Sequence, residues 1–164
     1  MTSEQILNKA IEIEIELAKL SPAQRRSFQV TKNFKWYECY SGDLVNGQEI
    51  PKHIEPPRQY WINAITHFLN MQLVADYLAV KYKKYVPIEY TSLYRTPFWN
   101  IHGGGSTNSY HMSAKAGDSR PLHIIISMYD YALIIAKLCP DMNGFKRYGT
   151  FVHADMQNNF MIYK

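Results

Sequence analysis

A change of period within one stretch of the chain constrains its fold most. From Arg58 to about Lys83, apolar residues recur at helical spacing: Trp61, Ile65, Phe68, Leu69, Leu73 and Leu78 share one broad face. Directly after it, Tyr85 to Ser92 alternates, with Val86, Ile88 and Tyr90 on one side, as a strand does. An all-helical or all-strand chain would not switch in this way. The rest of the sequence repeats the mixture. Residues 3 to 20 follow helical spacing through Ile6, Leu7, Ala10, Ile11, Leu17 and Leu20, and Thr2 with Gln5 offers a capping box. A helix is expected over residues 3 to 20, although the stretch from Ile11 to Leu17 also alternates like a strand. Residues 27 to 57 read as irregular, punctuated by Gly42, Gly47, Pro51 and Pro56-Pro57.

Residues 96 to 110 read as mostly loop around Gly103-Gly104-Gly105. A strand is expected near Ala116 to Leu122 and a helix from Ile126 to Leu138. Phe151 to Met156 and Phe160 to Tyr163 read as a closing hairpin, with Gln157-Asn158-Asn159 between. Helices precede strands, and the two then mix, which predicts an α+β fold with a small, mainly antiparallel sheet packed with helices. The 164 residues suit a single domain, 1–164, with residues 1–30 as a helical N-terminal extension.

Composition narrows the classes. Hydrophobic residues make up 46% and charged residues 20%, too apolar for wholesale disorder. No apolar run approaches the roughly 18 residues of a membrane helix. A net charge of +4 favours approach to polyanions, among which nucleic acid, anionic lipid and anionic wall polymers all fit. No Lys/Arg cluster or nucleic-acid motif supports a nucleic-acid partner. Cys39 and Cys139 form no C-x-x-C pair, which gives no support to a cysteine zinc site. Two free buried thiols are favoured over a disulfide, because nothing marks the chain as secreted. Met1 to Leu20, interrupted by Glu4, Glu12, Glu14 and Glu16, is not a signal peptide. The expectation is a chain made in the cytoplasm.

Six histidines occur, at 53, 67, 102, 111, 123 and 153. The informative set is His111, Asp118 and His153. A catalytic zinc takes three protein ligands and keeps a fourth position open, and two histidines with one carboxylate are a fitting set. Taken singly, each residue has an ordinary reading as packing or surface polarity. Their context raises the signal. Ser109 to Asp118 has the form S-x-H-x-x-A-x-A-x-D. Upstream lie Ser92-Leu93-Tyr94-Arg95, Asn100 and Gly103-Gly104; downstream lies Tyr148-Gly149-Thr150-Phe151-Val152-His153-Ala154-Asp155.

In that order these pieces resemble the zinc D-alanyl-D-alanine carboxypeptidases and L-alanyl-D-glutamate endopeptidases, and above all the small peptidase domains of phage lysins and virions. The resemblance covers residues 34–155. It implies a zinc site on the sheet face with His111, Asp118 and His153 as metal ligands. It implies that Arg95 faces the substrate's carbonyl or carboxylate, for which a guanidinium offers a planar fork of donors. Ser109, two before the first ligand, is implied as a local hydrogen-bonding or substrate-binding residue. The activity implied is zinc-dependent hydrolysis of an amide bond in peptidoglycan stem peptides, of carboxypeptidase or endopeptidase type. The implied setting is phage, acting on the cell wall after release or as a virion component beside other virion proteins.

Two positions depart from the family pattern. Ala114 stands where the family usually has Gly; if the position needs a positive φ, Ala costs about 1 kcal/mol or more, and if Gly serves only close packing, Ala fits. Thr150 stands three before His153, where many relatives carry the Glu or Asp that serves as general base. The nearest carboxylate is Asp155, two residues after His153 and therefore on the same strand face. It is the candidate general base that takes a proton from the attacking water, with orienting His153 or capping a turn as its alternatives. These departures sustain the alternative of a non-catalytic virion structural or interaction protein that keeps the fold. His102 and His123 are expected to be structural or exposed. The glycine triplet lacks the G-K-[ST] ending of a phosphate loop and is expected to flank the site. The Tyr and Trp residues in 34–40 and 60–61 are expected in the core and in a groove wall.

Overall fold

The structure, a computed structural model, describes residues 1–40, 43–45, 48–50, 54–157 and 161–162. Helix α1 (Ser3–Ala18) opens with the expected capping box. Thr2 Oγ1 accepts from Gln5 N at 3.3 Å, and Gln5 Oε1 accepts from Thr2 N at 2.8 Å. Helical period wins over alternation in α1: Ile6, Ala10, Ile13 and Leu17 are buried, whereas Ile11 and Ile15 are exposed. That buried face packs on α3, so these residues share one core with the rest of the chain. Ser21 caps the short α2 (Pro22–Ser27), with Pro22 at its first turn, where a missing N–H costs nothing.

The segment expected to be irregular holds a 3₁₀ turn, Trp36–Cys39, and a small antiparallel hairpin of β1 (Asp43–Val45) and β2 (Gln48–Ile50). Gly42, Gly47, Pro51 and His53 lie outside the described residues. Trp36 and Trp61 are core residues, as expected, and the two indoles meet edge to face at 5.5 Å; Phe34 is buried with them.

Helix α3 (Trp61–Tyr82) is the longest described element, and Lys83 closes it at φ 51°. Behind it come β3 (Ile88–Ser92), α4 (Pro97–His102), a 3₁₀ turn at Tyr110–Ser113, β4 (Ala116–Pro121) and α5 (Met128–Leu138). The chain ends in β5 (Gly144–Arg147), β6 (Val152–Asp155) and β7 (Met161–Ile162). Helix α4 is the one regular piece in a segment read as loop. Thr96 caps it and Pro97 fills its first position, a start signal that six residues are too short to show as periodicity.

Apart from the β1–β2 hairpin, the described strands form a five-stranded sheet in the order β3-β4-β6-β5-β7, antiparallel except for β5–β7. The fold is α+β, as expected. The closing hairpin is corrected. Strand β6 pairs with β5 and β4 on its two sides, so Met161–Ile162 has no free edge of β6 to join and runs parallel to β5 instead. Asn158, Asn159, Phe160 and Tyr163 lie outside the described residues.

Helices α3 and α5 cover one face of the sheet. From α3, buried His67 reaches Tyr90 and the carbonyl of Ala154; from α5, Tyr131 bonds Ser119 at 3.1 Å. Gly117 on β4 lies under His67, where a Cβ would stand 2.6 Å from the imidazole and 2.9 Å from the Tyr90 ring. Alternation along the strands sends Asp118, His153 and Asp155 to the opposite, open face. Cys39 and Cys139 are buried free thiols. No helix among the described residues is long and apolar enough to cross a membrane.

Candidate metal centre

The register across the sheet builds a row. Ser92 lies opposite Asp118, Asp118 opposite His153, and His153 opposite Lys146, one residue from each of β3, β4, β6 and β5. Directly opposed residues point to the same side, so this row belongs to the open face. A shift of register between Tyr90 and Ser92 makes it possible. Tyr90 pairs with Ser119 on the helix side, and one extra residue, Thr91, lets Ser92 come level with Asp118 on the other.

His111 joins the row from the 3₁₀ turn that precedes β4. Ser109 caps that turn, its Oγ accepting from His111 N at 3.4 Å. Ala114 ends it at φ 55°, fully buried. The position therefore does need the left-handed conformation, and alanine there carries the cost of about 1 kcal/mol that glycine would avoid.

The three sequence-predicted ligands converge. His111 Nε2 lies 3.3 Å from His153 Nδ1 and 3.4 Å from Asp118 Oδ1, and His153 Nδ1 lies 2.8 Å from Asp118 Oδ1. Zinc held at about 2.0–2.1 Å in tetrahedral geometry separates its ligand atoms by about 3.3 Å. Two of the three edges already have that length, the third is closed to 2.8 Å by the His153–Asp118 hydrogen bond, and two imidazoles with one carboxylate are a zinc-type donor set.

Each histidine is also held from behind. His111 Nδ1 donates to Leu93 O at 2.8 Å, which leaves the lone pair of Nε2 facing the cluster. His153 Nε2 lies 3.2 Å from Asp155 Oδ2, and its Nδ1 faces the cluster. Such outer partners fix ring orientation at metal sites. Asp118 is shared. Its Oδ1 serves the two imidazoles and its Oδ2 accepts from Arg95 Nη2 at 3.0 Å, while Arg95 Nε donates to Ser92 Oγ at 2.8 Å.

The electrostatics follow from this sharing. Burial would raise the Asp118 pKa, but the charges and hydrogen bonds of His111 and His153 hold it well below the carboxylate range. Burial lowers the pKa of His111 against the pull of Asp118. Burial would also lower that of His153, but its hydrogen bonds to Asp118 and Asp155 push it up to about 9. Without a metal, His153 therefore carries the proton that binds it to Asp118.

Around the cluster lies a cleft of about 660 Å³. Arg95, Ser109 and the Gly103–Gly105 loop line one side; Lys146, Tyr148 and Phe151 line the other. The loop flanks the site as expected, held by buried Asn100, whose Nδ2 donates to Ser106 O at 2.7 Å and whose carbonyl accepts from Gly105 N. His102 and His123 are exposed and lie outside the cleft. Thr150 is exposed in the turn joining β5 to β6.

Asp155 is completely buried, directly behind His153. Gly144, its partner on β5, makes the room, since a Cβ there would collide with Asp155 Oδ1. Asp118 and Asp155 are the acidic residues among those described that line the cleft. Three further contributors join the site without having been expected there: the Leu93 carbonyl, Ser92 as a support for Arg95, and Lys146. Lys146 had a readable signal. Gly144 and Lys146 are two apart, as are His153 and Asp155, and antiparallel pairing sets them face to face.

A family model described as Peptidase M15 matches residues 45–155, more than half of the chain. Among curated proteins and among solved structures, nothing matches it.

Proposed function

Because the chain belongs to the peptidase M15 family, we propose that it is a zinc-dependent peptidase that hydrolyses an amide bond in peptidoglycan stem peptides. The observation that carries this reading is the His111–Asp118–His153 triangle, with its ligand atoms gathered within 3.4 Å of one another and both imidazoles held from behind. Bound there, zinc would supply Lewis-acid polarisation of the scissile carbonyl and a lowered pKa for the attacking water.

The chain's own residues do the rest. Asp118 and the two histidines would hold the ion. Leu93 O and Asp155 fix the imidazole orientations. Arg95, fastened to Asp118 and Ser92, stands at the cleft wall to meet the substrate's carbonyl or carboxylate oxygen, where a fixed cation stabilises developing negative charge. Ser109 holds the turn that delivers His111 and lines the same wall. Asp155 is the cleft carboxylate left over once Asp118 is committed to the cluster. It is therefore our candidate to accept the water's proton and pass it to the leaving amine, while also orienting His153.

The proposed setting is phage, with access to the wall after release or from within a virion. Thr150, in place of a carboxylate, and the left-handed Ala114 favour a second reading, a virion structural protein that binds zinc without turnover. Digestion of purified peptidoglycan, followed by mass spectrometry, separates the two. Metal-dependent loss of D-Ala, or cleavage after L-Ala, supports the peptidase and names the bond. Zinc binding without cleavage of several wall types favours the second reading.

A further inference from the structure

We infer that Lys146 anchors a substrate carboxylate, and that the substrate carries a free carboxylate on a residue flanking the amide that is cut. This rests on the peptidase reading and goes beyond it in naming a recognition residue and the group it recognises.

The placement comes from the sheet. Lys146 is the β5 member of the open-face row, directly opposite His153. Strands lie about 4.8 Å apart, so its backbone is one strand from His153 and two strands, about 10 Å, from Asp118. An extended peptide advances about 3.5 Å per residue. A substrate amide held at the His/Asp cluster therefore brings the next residue over β5, within reach of a lysine side chain.

The chemistry is set by what Lys146 lacks and what holds it. Its ammonium has three donors and no acceptor, so an anion is its complement. The cleft's acidic groups are already engaged, Asp118 by Arg95 and both histidines, Asp155 by His153. Among the described residues no carboxylate pairs with Lys146. Its Nζ lies over the Tyr148 ring, 5.4 Å from the centroid, and Tyr148 stacks on Phe151 at 4.4 Å. The aromatic pair holds the ammonium at the cleft wall without neutralising it. Arg95, just beyond the β3 end of the row, is tied to Asp118 and Ser92. The two cations thus have separate duties, Arg95 at the metal cluster and Lys146 one residue along the substrate.

A flanking carboxylate has two chemical sources: the C-terminus of the substrate, or the α-carboxylate of a glutamate joined through its side chain. Two pairs of synthetic peptides separate them. In N-acetyl-L-Ala-γ-D-Glu-L-Lys the glutamate α-carboxylate is compared with its carboxamide. In N-acetyl-L-Lys-D-Ala-D-Ala the free C-terminus is compared with its carboxamide. Binding is measured by titration calorimetry, with and without zinc, and turnover by mass spectrometry. The wild-type chain is expected to prefer the carboxylate member of one pair about tenfold or more, as a charge-assisted hydrogen bond gives. Lys146→Gln is expected to lose that preference and Lys146→Arg to keep most of it, a pattern that mere loss of packing would not produce. A preference that survives in Lys146→Gln, or no preference for either carboxylate in the wild type, overturns the assignment. Carboxylate-selective binding that depends on Lys146 but is never followed by cleavage would leave the assignment standing and sink the peptidase reading alone.

Discussion

Asp155 stands behind His153, its Oδ2 3.2 Å from Nε2, on the side of the ring away from Asp118. One imidazole thus links two carboxylates, one in the metal cluster and one beneath it. The arrangement gives Asp155 a part in holding the ligand, beside the proton transfer proposed for it, and a substitution separates the two. Asp155→Asn keeps an acceptor for His153 but cannot take a proton. Zinc stoichiometry is expected to stay near that of the wild type while kcat falls by about 10²–10⁴. Full zinc loading with kcat within threefold of the wild type would show that Asp155 only orients the ring.

Gly144 carries a second prediction. A methyl group at this position would collide with the Asp155 carboxylate, and β5 is tied into the sheet on both sides, so the carboxylate has to move. Gly144→Ala should weaken zinc binding by roughly 10–100-fold, the usual effect of disturbing a ligand's outer partner. Competition with a chromophoric chelator measures it. An unchanged zinc affinity would mean that Asp155 does not support His153.

Gly117 tests the helix side of the same sheet. Its missing Cβ leaves space for His67 and Tyr90, which together seat α3 behind the site. Neither ring is the tip of a flexible chain, so Gly117→Ala forces a shift in a packed layer and should destabilise by about 1–3 kcal/mol. A urea midpoint within error of the wild type would contradict the packing described.

His67 predicts a pH dependence. Ala154 O can only accept, so Nε2 carries the ring's hydrogen, and Nδ1 is left to accept from the Tyr90 hydroxyl at 2.9 Å. Burial lowers its pKa from 6.5 to about 4. The unfolded chain therefore binds a proton that the folded chain refuses. His67's contribution is fully present above about pH 6.5 and is lost as pH falls toward 4. Between pH 7.5 and 4.5 that loss is about 2.5 kcal/mol. Urea unfolding with a chelator present should show a pH slope smaller by about this amount in His67→Gln than in the wild type. Equal slopes would mean that His67 is protonated in the fold.

Much of this was readable from the residues. The period switch between α3 and β3 gives the fold class, because a buried helix face and an alternating strand each leave a pattern. The ordered motifs around His111, Asp118 and His153 mark the cluster, and two-residue spacing puts Asp155 beside His153. What stayed hidden depends on pairing between distant segments. The register shift at Thr91, the alignment of Lys146 with His153, and the parallel placement of β7 are decided by which strand edges remain free. Helix α4 was too short to show a period. The fate of Ala114 depended on a backbone angle that a residue name does not carry.

The most direct test of the central claim is the zinc content of the purified chain and of His153→Ala, measured under metal-replete conditions. The account predicts one zinc per wild-type chain and its loss, or a large drop in affinity, in the variant. A wild-type chain that binds no zinc, or a variant that binds it equally well, would contradict the assignment of His111, Asp118 and His153 as a metal centre.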